Sequence, residues 1–125
     1  MQAIQLQQPG GLDKLNVVDV AAPGEPGPGE IKVRLHASSL NFHDYAVVAG
    51  MIPTDDKRIP MSDGAGVVEE VGGDVAHCKQ GDAVCLYPPV GCGGCEFCRT
   101  SRDYMCVRLR VLGEGLKGSY AERVV

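Results

Sequence analysis

Apolar and polar residues alternate from Met1 to Gln7, with Ile4 and Leu6 on one side of an extended chain and glutamines on the other, which predicts an opening strand. Gly10-Gly11 breaks it, and Val17-Val18-Asp19-Val20 predicts a second short strand. Residues 21–30, AAPGEPGPGE, predict a loop, since proline and glycine interrupt every regular pattern there. Its central place makes it a surface excursion within one fold. The clearest alternation runs from Ile31 to Ser38: Ile31, Val33, Leu35 and Ala37 face one way, and Lys32, Arg34, His36 and Ser38 the other. This predicts a half-buried antiparallel strand with His36 in solvent. The period changes at Asn41–Gly50, where Phe42, Tyr45, Ala46 and Ala49 recur at helical spacing and Gly50 can stop a short helix. Met51–Pro60 reads as a loop. Val67–Val71 predicts a strand that ends in Gly72-Gly73, a glycine pair of the hairpin type. Gly81-Asp82 turns the chain into another strand, Ala83–Tyr87, which Pro88-Pro89 ends. Glycines at 113, 115 and 118 punctuate a further loop, and Ser119–Val125 predicts the last strand. Together these elements predict a mainly β domain, a partly open barrel of short antiparallel strands with one short helix.

Composition changes this picture little. A chain of 125 residues is long enough for one domain with a real core, and 17 glycines with 8 prolines suit short strands joined by turns. A net charge of -4 without a basic cluster argues against a nucleic-acid partner or a membrane surface. The longest near-apolar run, Tyr45–Pro53, is too short to span a bilayer. The opening MQAIQLQQPGG has no charged or apolar leader region, so a reducing, cytoplasmic setting is expected for the cysteines. Cys85, in the run Ala83-Val84-Cys85-Leu86, is expected to be a buried core thiol. His77 and Cys78 are neighbours that point apart on an extended chain and make a poor joint metal site.

The strongest chemical signal is Cys92, Cys95, Cys98 and Cys106, at C-x2-C-x2-C-x7-C spacing. A Cys-x-x-Cys step lets two sulfurs reach one ion from a tight turn, and Gly93-Gly94 supply the backbone freedom. Four thiolates would close the tetrahedron of a structural zinc and leave no position for water. The lobe that holds it would run from about residue 88 to 110, with Arg99, Arg102 and Arg108 offsetting its negative charge. Two disulfides, or unligated thiols, are the other reading.

Several stretches in order resemble the N-terminal domain of the zinc-type, medium-chain alcohol dehydrogenase and quinone oxidoreductase superfamily. They are Pro28-Gly29-Glu30-Ile31-Lys32-Val33-Arg34, Asn41-Phe42-His43-Asp44, Asp63-Gly64-Ala65-Gly66-Val67-Val68, Gly81-Asp82-Ala83-Val84, the cysteine cluster and Gly118-Ser119-Tyr120-Ala121-Glu122. The resemblance implies a GroES-like barrel over residues 1–125 and a structural zinc on Cys92, Cys95, Cys98 and Cys106. Members of the superfamily continue into a Rossmann domain that binds NAD(P). No G-x-G-x-x-G following a strand is expected in this chain, so it should be an N-terminal catalytic domain that neither binds NAD(P) tightly nor turns over alone.

The resemblance also bears on the reaction centre. Zinc-dependent members have a cysteine at the place of Asn41 and Gly-His-Glu at the place of Met61-Ser62-Asp63. Asparagine and serine are poor zinc ligands, so the resemblance implies a zinc-independent, quinone-oxidoreductase-like branch. There, hydrogen bonds polarise a small carbonyl, quinone or alcohol substrate while NAD(P)H supplies hydride. Asn41, His43 and Tyr45 are the catalytic candidates, and Ser62 and Asp63 the candidates for lining the substrate cleft. The alternative is a zinc-stabilised β-barrel module for protein contacts without catalysis. The acidic charge weighs against a third option, a zinc-ribbon nucleic-acid binder. Apolar surface that would meet a cofactor domain makes self-association a further expectation.

Overall fold

Strand pairing, more than helix packing, sets the course of this chain. The computed structural model describes residues 1–125. Its strands are β1 (Gln2–Leu6), β2 (Leu15–Asp19), β3 (Ile31–Ala37), β4 (Ala65–Val71), β5 (Ala83–Cys85), β6 (Pro89–Val90), β7 (Arg110–Val111) and β8 (Arg123–Val124). The helices are α1 (Phe42–Val48) and α2 (Glu96–Arg99). The main sheet has the order β5-β4-β3-β8 and is antiparallel throughout. β1 and β2 form a hairpin. It is tied to the rest by bridges from Ala3 to Ala121 and from Leu6 to Arg58, with Ile4 N–H on Tyr120 O and Leu6 N–H on Arg58 O, both at 2.8 Å. The sheets curve round one core without closing, as a partly open barrel does.

In that core Leu6, Val47 and Val48 pack together with Leu15 and Ile52 against them. Val33, Val68, Ile59 and Met61 are buried as well. Burying side chains of this size is worth about 1.5–3 kcal/mol each.

The structure departs from the alternation pattern in several places, each for a physical reason. In β1 the buried residues are Ala3 and Leu6, while Ile4 is only half-buried, because Ala3 and Leu6 are the positions bridged to Ala121 and Arg58. In β3 the ladder with β4 shifts register between Lys32 and Val33. A bulge of this kind puts two successive residues inward, so Lys32 is buried next to Val33 and its ammonium pairs with Glu70 at 2.7 Å. His36 is exposed, as expected.

Helix α1 turns a different face inward from the one its aromatic residues suggest. Asp44, Ala46, Val47 and Val48 are buried, whereas Phe42 is 77% and Tyr45 47% exposed. The helix docks through Val47 and Val48 on Leu6, and this leaves the Phe42–Tyr45 pair outside, ring centroids 5.9 Å apart. Gly72-Gly73 is not a hairpin turn. β4 reaches β5 only after residues 72–82. The glycine pair instead extends the β3–β4 ladder into the proline-rich loop, through Gly72 N–H on Glu30 O at 2.9 Å and Gly29 N–H on Gly73 O at 2.7 Å. A Cβ on Gly72 would collide with Gly27 O, so glycine is needed for that approach. Cys85 is exposed, not a core thiol. β5 is an edge strand paired only with β4, and Ala83 and Cys85 share its outer face. The final segment is in strand form only at Arg123–Val124.

Candidate functional site

The cysteine lobe begins and ends on one small ladder, β6 against β7, with Pro89 opposite Val111. This pairing brings the two ends of the excursion together. Inside it, Gly93 takes a left-handed φ of 72°, which turns the chain between Cys92 and Cys95. Cys95 precedes α2 as its N-cap, and Cys98 lies in that helix. A Cβ on Gly91 would come within 2.9 Å of the Cys98 sulfur, so a side chain there would push the sulfurs apart.

The four sulfurs of Cys92, Cys95, Cys98 and Cys106 lie within 4.8 Å of one another, and those of Cys95 and Cys98 are 3.5 Å apart. Zinc–sulfur bonds of ~2.3 Å in a tetrahedron require sulfurs about 3.8 Å apart. All six cysteines of the chain are free thiols. The donor chemistry, the spacing and the room left by Gly91 fit a structural zinc. Bound there, the metal would cross-link the lobe without an open position for chemistry.

Main-chain donors prepare these sulfurs. Cys106 Sγ accepts N–H groups from Cys92 at 3.4 Å and Arg108 at 3.3 Å. The N–H groups of Gly94 and Cys95, with smaller help from the Arg108 guanidinium, lower the Cys92 thiol to about 6. The Cys98 N–H lowers the Cys95 thiol. Loss of solvent pushes the Cys98 thiol up to about 11. Of the three arginines expected to offset the charge, Arg108 reaches a sulfur, with Nη2 3.3 Å from Cys92 Sγ. Arg102 instead lies 5.4 Å from the centre of the Phe97 ring and donates to Thr100 Oγ1 at 3.1 Å.

A second polar cluster forms where α1 begins. Asn41 is the N-cap residue, and its N–H donates to Asp44 Oδ2 at 2.9 Å. Its side-chain amide donates to Asp63 Oδ2 at 2.9 Å and Ser62 Oγ at 3.4 Å. Asp44 is 2% exposed, and its Oδ1 accepts the Ser62 N–H at 2.7 Å. Asp44 therefore joins residues 41 and 62 from beneath. Ser39 Oγ reaches Asp63 Oδ2 at 3.2 Å, and the hydroxyls of Ser38 and Ser119 hold Asp63 O. Asn41, Ser62 and Asp63 are thus brought together.

His43 and Tyr45 make no side-chain hydrogen bond to that network, although His43 Nδ1 lies 3.8 Å from Asp44 Oδ1. His43 Nε2 lies 2.9 Å from Glu114 Oε2, and Tyr45 stacks obliquely on Phe42. Sequence reasoning missed Asp44 and Glu114. The spacing Asn41-x-x-Asp44 is that of a capping pair and could have marked Asp44. Glu114 has no local signal, since its partner is 71 residues away.

The residues Gly113-Glu114-Gly115-Leu116-Lys117-Gly118 have G-x-G-x-x-G spacing and follow β7, contrary to the expectation that no such string follows a strand. No helix follows it, so the positive helix end that receives a pyrophosphate is missing. The N–H groups of residues 114, 115 and 116 all donate to Val111 O, at 3.0–3.2 Å, and that of Gly118 to Ile59 O at 2.8 Å. These donors are already engaged, and the string is a turn rather than a phosphate cradle. No helix of the chain is long and apolar enough to cross a membrane.

Residues 27–125 match the alcohol dehydrogenase GroES-like domain family. The alcohol dehydrogenase of Moraxella sp. (strain TAE123) is 33% identical over 130 residues, which cover 100% of this chain and 37% of that protein. The alcohol dehydrogenase of Geobacillus stearothermophilus is 37% identical over 99 residues, 75% of this chain and 29% of its own length. Among solved structures, an NAD-dependent alcohol dehydrogenase superposes with a TM-score of 0.91 at 40% identity, over 99% of this chain and 36% of that one. A cobalt- and zinc-bound thermostable alcohol dehydrogenase from Pyrobaculum aerophilum gives 0.89 at 37% identity, over 99% of this chain and 38% of its own. The chain therefore spans between 29% and 38% of the length of these relatives. With its barrel, its cysteine lobe and its sequence all in agreement, this chain belongs to the alcohol dehydrogenase GroES-like domain family, the N-terminal domain of zinc-type alcohol dehydrogenases.

Proposed function

We propose that this domain is the substrate-side, catalytic part of an NAD(P)-dependent oxidoreductase of the alcohol dehydrogenase or quinone oxidoreductase type, with a structural zinc on Cys92, Cys95, Cys98 and Cys106 and no zinc at the reaction centre. The observation that carries this reading is the contact of the Asn41 amide with Asp63 at 2.9 Å and with Ser62 at 3.4 Å. By resemblance, these are the positions where zinc-dependent members carry their metal-binding cysteine and Gly-His-Glu. Here they hold an amide, a hydroxyl and one carboxylate, bonded to one another, and zinc sites are built from thiolate, imidazole and carboxylate.

Bound NAD(P)H supplies the hydride. The residues of this chain supply hydrogen bonds and protons. The Asn41 amide, exchanging its long 3.4 Å bond to Ser62 for the substrate, and the exposed Tyr45 hydroxyl polarise the oxygen of a small carbonyl or quinone substrate, and a preorganised donor of that kind is worth roughly 10²–10³ in rate. Ser62 and Asp63 line the cleft, and Asp44 keeps Asn41 and Ser62 in register. His43 exchanges the proton that carbonyl reduction consumes and alcohol oxidation releases. The setting is cytoplasmic, consistent with free thiols.

The test is made in the intact oxidoreductase that contains this domain. Asn41→Ala should lower kcat about a hundredfold while the zinc content stays at one per domain. Unchanged kcat, or a second zinc lost with Asp63→Ala, would sink the reading. A non-catalytic interaction module is the second reading, favoured by the exposure of Leu40 at 76% and Phe42 at 77%. It predicts partner binding that Leu40→Ser abolishes and no hydride transfer at all.

A further inference from the structure

We infer that Glu114 is a positioning residue: it holds the His43 imidazole in one tautomer and one orientation at the start of α1. The role in proton exchange rests on the reading of His43 given above, whereas the geometry does not.

His43 Nε2 lies 2.9 Å from Glu114 Oε2. An ionised carboxylate only accepts hydrogen bonds, so the ring nitrogen facing it carries the hydrogen. In the neutral ring the lone pair then sits on Nδ1. That nitrogen is shielded from water and has no hydrogen-bond partner. The carboxylate facing it, Asp44 Oδ1, is 3.8 Å away, beyond hydrogen-bond length, and is already occupied by the Ser62 N–H at 2.7 Å. The Asp44 charge at that distance favours hydrogen on Nδ1 only weakly, and the selection falls to Glu114, whose oxygen is in hydrogen-bond contact with Nε2 at 2.9 Å.

Glu114 is itself well placed for this. Its N–H donates to Val111 O at 3.2 Å, and its carbonyl accepts Thr54 Oγ1 at 3.0 Å. Arg58 Nε in turn donates to Thr54 Oγ1 at 3.1 Å. The turn that carries Glu114 is clamped at both ends, where Gly113 and Gly118 press on the backbone of Met61. The carboxylate is thus presented from a braced turn. Its side chain is 35% exposed and that of His43 31%, so the pair reaches solvent on the Nε2 side while Nδ1 does not. With the hydrogen fixed on Nε2 beside Glu114, the nitrogen left to gain and lose a proton is Nδ1, so a residue that fixes Nε2–H also fixes the point of exchange.

The experiment is 15N NMR of imidazole nitrogens in the zinc-loaded 125-residue chain, at a pH high enough for neutral rings. The chain has 3 histidines, and His43→Gln identifies the resonances. Wild type should show His43 with the hydrogen on Nε2. Glu114→Ala and Glu114→Gln should both give a mixture of tautomers. Thr54→Val, which removes the backbone brace but leaves the carboxylate, should keep the wild-type tautomer. A wild-type ring protonated on Nδ1 overturns the proposal, and so does an unchanged tautomer in both Glu114 variants. A shift in Thr54→Val as large as in Glu114→Ala would reduce Glu114 to a structural role and overturns it equally. In the intact enzyme, full kcat in His43→Ala would end the proton-carrier reading, and with it the catalytic meaning of Glu114, while the NMR result would still decide the geometry.

Discussion

Gly118 lies directly against the main chain of Met61: a Cβ at residue 118 would collide with the carbonyl oxygens of Met61 and Pro60. Met61 is 2% exposed and has a left-handed φ of 78°, a conformation that costs a residue other than glycine roughly 1–2 kcal/mol. Gly113 meets the same residue from another side, where a Cβ would come within 2.8 Å of its nitrogen. The loop after the cysteine lobe therefore helps hold the strained residue that leads into Ser62 and Asp63. It links the lobe to the Ser62–Asp63 segment, because β7 closes the lobe and leads into the turn that braces Met61.

Gly118→Ala should destabilise the domain by about 1–3 kcal/mol, as overpacking against backbone does. Urea denaturation followed by circular dichroism would measure it. A loss within a few tenths of a kcal/mol would mean that the Met61 segment yields easily, contrary to its tight clamping.

Asp44→Ala should cost more than Asn41→Ala. Asp44 is buried and accepts two main-chain N–H groups, from Asn41 and Ser62, and hydrogen bonds to a charged group contribute about 1.5–3 kcal/mol each. Removing the Asn41 side chain frees a partly exposed amide, and about 1 kcal/mol is expected. Paired urea titrations would show the order, and a reversed order would contradict the bridging role of Asp44.

Chelation of zinc should raise hydrogen exchange in residues 88–110 more than in the four-stranded sheet, since the lobe joins the barrel through the short β6–β7 ladder and metal binding to such a lobe is part of its folding energy. Hydrogen exchange before and after chelation would report this. Protection of the lobe that survives metal removal would count against it. Cys95→Ser should lower the zinc content from one per chain to none by elemental analysis.

The apo lobe should be most stable near pH 9. The Cys92 thiol, lowered to about 6 chiefly by the Gly94 N–H, contributes stability above its unfolded pKa and loses it as pH falls through about 6. The Cys98 thiol, raised to about 11 by loss of solvent, contributes stability below its unfolded pKa and loses it as pH rises through about 11. Zinc requires both as thiolates, so at pH 7 loading should release a proton from Cys98 and none from Cys92. Calorimetry in buffers of different ionisation enthalpy would count the protons. In the apo protein at pH 7, Cys92 should be alkylated faster than Cys98, and the reverse order would overturn this assignment.

Much of the fold could be read along the chain. The alternation of Ile31–Ala37 and the punctuation at Gly50 and Gly81 predict elements that the structure contains, whereas Pro89, read as a strand end, opens β6. The cysteine spacing likewise predicts four sulfurs that the structure brings within 4.8 Å. Each of these is a local signal: a period, a turn residue or a short ligand step acts within a few residues. Asp44 was legible in principle as the partner of a capping Asn41, but its buried bond to Ser62 was not.

The sequence by itself determined the class of the domain, most of its longer strands and the metal-binding character of its cysteine lobe, because these follow from backbone preference and from ligands close together in the chain. Only the tertiary structure decided that Lys32 lies inside beside Glu70, that Phe42 and Tyr45 face outward, that Cys85 lies on an open edge, and that Glu114 meets His43. Those outcomes depend on a register shift, on the docking of α1 against Leu6, on which strand ends the sheet, and on a contact across 71 residues. Side chains at such positions are placed by partners far away in the chain, and no local pattern specifies those partners.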